Sequence, residues 1–251
     1  MCKSEDLRNQ IVQAAINGTG AWMLSTGWLF HLLGEHVFLV PVLSGIGTAI
    51  YYFVCSEKFS IKFKTRLIFV LGSFTLIMGL LLKLDLLQTA FMGVFFTGLF
   101  FYIGIPGRSW NLRDVSGVKA LFISVNWMFF VLILPLWLVR GNASLPLIET
   151  FSFLLLFYAL TIPSDIFDLH TDPVHLCTLP QVTGKKTATL LGIFLVLGFG
   201  AVQYLLSENT PWIFFSALAS LLMCFPLLNS RFRTDVYTDA LVFCAGCIYF
   251  L

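Results

Sequence analysis

The sequence predicts an all-α, polytopic membrane bundle of about nine transmembrane helices, and three observations predict it. Hydrophobic residues make up 58% of the 251 positions and charged residues only 11%, whereas the charged fraction of a water-soluble domain is about a quarter. The apolar residues gather into runs of roughly 17 to 25, the length that crosses about 30 Å of hydrocarbon as a helix. Lys and Arg fall between these runs in an alternating pattern. The apolar stretches are continuous, without the two-residue alternation of a transmembrane β-barrel.

Nine runs follow one another: 11 to 30, 37 to 54, 67 to 82, 86 to 106, 120 to 139, 145 to 163, 187 to 206, 211 to 228 and 236 to 251. The first is preceded by the charged segment Lys3, Glu5, Asp6 and Arg8. It is long enough to span and its leader carries the acids Glu5 and Asp6, so it is expected to remain as a helix and not to be cleaved as a secretory signal. The third and ninth are the shortest, and the ninth carries Asp239. The loops between runs leave no room for a second soluble domain, so residues 1–251 are read as one transmembrane domain.

The charges orient the bundle. Thirteen of the fifteen Lys and Arg lie on one side of the predicted spans: Lys3, Arg8, Lys58, Lys62, Lys64, Arg66, Arg108, Arg113, Lys119, Lys185, Lys186, Arg231 and Arg233. Only Lys83 and Arg140 lie on the other. The positive-inside rule places the N-terminus in the cytoplasm and the C-terminus outside it. The formal net charge of +2 therefore reports topology and gives no ground for a nucleic-acid partner. The expected location is a bacterial cytoplasmic (inner) membrane. The six cysteines sit mostly in or beside apolar runs, where a free thiol packs as a small hydrophobe.

The densest polar feature follows the sixth run. Asp165, Asp168 and Asp172 stand at i, i+3 and i+7, and at about 100° per residue they share one face if the helix continues past Pro163. Three like charges on one face repel, and magnesium is the simplest counterion: it takes oxygen ligands and is commonly shared between carboxylates and a substrate phosphate. A zinc site with His170 and His175 is disfavoured because His170 points away from the acidic face. Gly184-Lys-Lys-Thr187 then opens the seventh helix, whose free N–H groups and the charges of Lys185 and Lys186 suit a diphosphate. The competing structural reading is a solvated loop whose acids balance Lys185 and Lys186.

The order Asp165-x2-Asp168-x3-Asp172 followed by Thr178-Leu-Pro180-x-Val182-x-Gly184 resembles the second aspartate-rich motif of the UbiA superfamily of intramembrane prenyltransferases. Those enzymes have nine helices and a cytoplasmic N-terminus, and their second motif lies between helices six and seven. The resemblance implies that Asp165, Asp168 and Asp172 bind Mg2+ and, through it, a prenyl diphosphate whose ionisation alkylates an acceptor. A second segment, Tyr102-Ile-Gly-Ile-Pro106-Gly-Arg108, resembles the family's loop between helices four and five. By that likeness Tyr102 and Arg108 contribute to the substrate site, with Arg113 and Lys119 as further candidates. Topology charge is the alternative explanation for these cations.

The chain also departs from the family pattern. Where relatives carry a first aspartate-rich motif at the end of helix two, this sequence has Tyr51-Tyr-Phe-Val-Cys-Ser-Glu57-Lys-Phe, with Glu57 the only acid and thus the only metal ligand available there. The stretch between Asp172 and Thr178 is one residue shorter than usual. The expected activity is transfer of a prenyl group to an unidentified aromatic or lipid-like acceptor. The alternatives are a catalytically degenerate relative that binds isoprenoid lipid or a partner, and a small transporter. Asn126, Glu149 and Asp239, polar residues within apolar runs, are secondary candidates because burying such groups in a membrane is costly.

Overall fold

The computed structural model describes residues 2–34, 39–55, 86–103, 112, 115–140, 144–170, 172, 174–225 and 234–250. Among these every regular element is helical: α1 Cys2–Leu33, α2 Leu39–Cys55, α3 Leu86–Ile103, α4 Val118–Arg140, α5 Leu147–Phe167, α6 Lys185–Ser207, α7 Pro211–Leu222 and α8 Thr234–Ile248. Eight of the nine predicted runs correspond to these helices, and the third run, 67 to 82, lies outside the described residues. Three helices, α4, α5 and α6, are long and apolar enough to cross a membrane. Hydropathy misplaces the start of α1, which extends back through the polar residues to Cys2, because a helix outside hydrocarbon leaves no apolar signature.

The helices close into a ring. α1 lies between α2 and α8; α4 packs against α2 and α5; α6 joins α5 to α7; and α7 completes the circuit to α8. The interior is filled by large side chains without exposure, among them Trp28, Phe129, Phe153, Phe199 and Trp212. The outer faces of α6 and α7 are as apolar as the core: Phe194 is 72% exposed and Leu205 77% exposed. A contiguous apolar surface of that kind is stable only against lipid or another protein, which agrees with membrane-length helices.

α4 shows how one residue shapes the packing. Its helix widens to π geometry over Phe129–Ile133, and the Leu134 N–H reaches back to the Phe129 carbonyl. The next donor in that pattern would come from residue 135, which is proline and has no N–H. The Phe130 carbonyl accepts a 2.6 Å hydrogen bond from the Ser44 hydroxyl of α2. The proline thus withholds a donor from the acceptor that joins α2 to α4.

Candidate functional site

α5 does continue past Pro163, ending at Phe167, but it does not run on to Asp172 as one shared face would require. A 3-10 turn, Asp168–His170, takes over, and the Asp172 N–H bonds the Asp168 carbonyl at 2.8 Å. The acids therefore converge by a tightening turn and not along one α-helical face. Gln181, in the short helix Leu179–Thr183, braces the turn. Its amide donates to the Asp172 carbonyl at 3.3 Å, while its side-chain oxygen accepts the Thr178 N–H at 2.9 Å.

The group on which the acids converge is Lys119, at the start of α4. Its ammonium lies 2.6 Å from Asp172 Oδ2, 3.1 Å from Asp165 Oδ1 and 3.8 Å from Asp168 Oδ2. Lys119 is brought there by the turn before it. Gly117, at φ +73°, takes a left-handed conformation that suits glycine and starts α4, while its N–H bonds the Leu176 carbonyl at 3.0 Å. That bond ties the entry of α4 to the loop carrying the acids.

The cluster is largely dry: Asp165 is 3% exposed and Lys119 8%, with Asp168 the more open member. Three carboxylates and one ammonium leave two formal negative charges. Asp165 Oδ2 is buried with no hydrogen-bond donor among the described residues, so the site retains an unmatched acceptor. The donor types, hard carboxylate oxygens, suit magnesium. As placed around the ammonium, however, they form no ready metal cage, and none occurs among the described residues.

The other predicted site residues fall as follows. Gly184, at φ +82°, starts α6, and Lys185 and Lys186 occupy its first turn; the ion pairs of the aspartates run to Lys119 and not to them. Tyr102 is buried and stacks on Phe122 of α4, centroids 4.4 Å apart. Glu57, Arg108 and Arg113 lie outside the described residues, as does the Asp239 side chain. Asn126 is fully buried; its amide donates to the Phe122 carbonyl at 2.6 Å.

A second polar cluster, at the opposite end of α5, was only partly foreseen. Glu149 is 6% exposed and accepts a 2.8 Å hydrogen bond from the Tyr249 hydroxyl. Gln203, 1% exposed, donates to Ser152 Oγ at 2.8 Å. The His31 ring tilts over Tyr249 at 5.2 Å. Glu149 and Gln203 are the signals a sequence offers here, polar residues within apolar helices. Tyr249→Phe is expected to destabilise the protein by about 1 to 3 kcal/mol, because a buried carboxylate loses its donor; thermal unfolding in detergent measures it.

No protein-family model, no curated protein and no solved structure matches the chain. The fold and the site define a helical bundle with membrane-length helices and an ion cluster at one end.

Proposed function

We propose that the chain is a UbiA-like integral membrane prenyltransferase. In this reading it has nine spans and a cytoplasmic N-terminus, and it moves a prenyl group from a prenyl diphosphate to an aromatic or lipid-like acceptor. The observation that supports it is the meeting of Asp165, Asp168 and Asp172 with Lys119. These are the acids of the resembled motif and a cation from the opposite loop, which the resemblance assigns to one substrate site.

In the reaction the bond between the allylic carbon and the diphosphate oxygen breaks, the electron pair leaves with diphosphate, and an acceptor carbon attacks the cation and loses a proton. Bound Mg2+ would supply positive charge to the leaving diphosphate. The work of this chain's residues is to hold and orient it. Lys119 offers a desolvated ammonium to a phosphoryl oxygen, and the first turn of α6 adds N–H groups with Lys185 and Lys186.

One observation favours a second reading, a silent relative that holds isoprenoid lipid or a partner. Lys119 already neutralises part of the acid cluster, and Glu57 is the only acid where a first motif would stand. Binding of a non-hydrolysable prenyl diphosphate analogue to detergent-purified protein separates the two. The transferase reading expects micromolar, magnesium-dependent affinity, reduced at least tenfold in Asp168→Ala. Affinity indifferent to chelator and to that substitution would leave only the silent reading.

A further inference from the structure

A cavity of about 150 Å³ opens at the end of the bundle remote from the aspartates. Its walls are Leu32 from the end of α1, Leu136 from α4, and Leu145 and Pro146 from the segment entering α5; its polar groups are Arg140 and Ser144. Arg140 is the last residue of α4, twenty-one positions beyond Lys119 and hence about 30 Å along the helix. The two cationic side chains of α4 therefore serve opposite ends.

Their circumstances differ. Lys119 is enclosed by three carboxylates, whereas Arg140 is exposed and forms no ion pair with an acid among the described residues. The nearest acid in sequence, Glu149, is buried and bonded to Tyr249. An unpaired guanidinium beside an apolar hollow, at the end of membrane-length helices, presents a planar donor fork that matches a phosphate in two-point geometry.

The hollow holds about five waters' volume, too little for a whole lipid. It is large enough for the glycerol-phosphate region of one, with acyl chains continuing over the apolar exterior. A charge balance also selects the ligand. Among the described residues no carboxylate pairs with Arg140, so the cation is matched by a headgroup of net negative charge and not by a zwitterion carrying its own ammonium.

We propose that Arg140, Ser144 and the walls formed by Leu32, Leu136, Leu145 and Pro146 constitute a binding site for the phosphodiester of an anionic phospholipid. The lipid fastens the ends of α1, α4 and α5 together. This site is independent of the diphosphate chemistry at the other end and rests only on the membrane embedding of the bundle.

The test is thermal unfolding of the full chain in a neutral detergent with added phosphatidylglycerol, phosphatidylcholine or inorganic phosphate. At a hundredfold excess over Kd, phosphatidylglycerol should raise the midpoint by roughly 5 to 10 °C, while the other two give less than half that shift. Arg140→Gln should bind phosphatidylglycerol about tenfold more weakly. Ser144→Trp, which plugs the mouth from an exposed position and leaves the core untouched, should lose the shift while melting like the parent without lipid. An equal shift with inorganic phosphate would make this a free-anion site. An equal shift with phosphatidylcholine, or a full response in both variants, would overturn the proposal as well.

Discussion

Replacing Lys119 by methionine is expected to destabilise the protein by about 3 to 5 kcal/mol, the cost of leaving a buried charge without its partner. Among the described residues the ammonium is the one cation bonded to Asp165 and Asp172, and its removal leaves three carboxylates facing one another, two of them shielded from water. The double variant Lys119→Met, Asp165→Leu should recover part of that loss, since it removes a buried acid along with the cation and fills the space with apolar atoms. Millimolar magnesium should raise the melting temperature of Lys119→Met well above any effect on the parent, because the cluster then lacks the counterion shared by Asp165 and Asp172. That gain should vanish when Asp168→Ala is added. A Lys119→Met protein as stable as the parent would mean that the four groups do not meet as described.

The consequence for function lies in the direction of these effects. If magnesium binds only after Lys119 is gone, the ammonium stands in for the metal and the silent reading gains. If the parent is also stabilised by magnesium, the residual charge of the cluster and the unmatched Asp165 Oδ2 are open to a cation while Lys119 is in place. Lys119 then remains to serve the diphosphate. Either outcome is read from unfolding alone, without knowledge of the acceptor.

How much of this was legible follows from the distance over which each feature is encoded. The acids were legible because they sit within about two helical turns of chain, and the starts of α4 and α6 carry glycines at 117 and 184 whose positive φ fits the usual punctuation of a helix. Lys119 was visible as a residue but not as their partner: it lies 53 positions from Asp172, and local periodicity says nothing about which of thirteen like-side cations reaches the site. The same holds for Glu149 and Tyr249, 100 positions apart. The signal Glu149 gives is that an acid within an apolar run needs a donor somewhere. The turn after Phe167 was misjudged because α-helical spacing and a 3-10 turn bring these acids together equally well, and the sequence does not distinguish the two routes.

Gly246→Ala, the smallest change available, is expected to cost about 3 kcal/mol, as overpacking against an unyielding neighbour does. A Cβ there would meet the Leu24 nitrogen and the Met23 carbonyl carbon at 2.5 Å. Both are main-chain atoms of α1, so α1 and α8 would have to part. Small residues let two helix backbones approach this closely. The α1–α2 contact is built alike, where a Cβ on Gly18 would come within 2.8 Å of the Gly45 carbonyl oxygen. The separation would loosen Leu24 and Trp28 against Leu241 and Ala245 in the shared core. It would also withdraw Tyr249, three residues on, from Glu149. Gly198→Ala in α6 is the matched control: nothing lies within 4 Å of its would-be Cβ. There the gain in helix propensity should leave the protein unchanged or more stable by up to about 1 kcal/mol. Thermal unfolding of the two variants in the same detergent sets them apart, and equal melting temperatures would refute a backbone contact between α1 and α8.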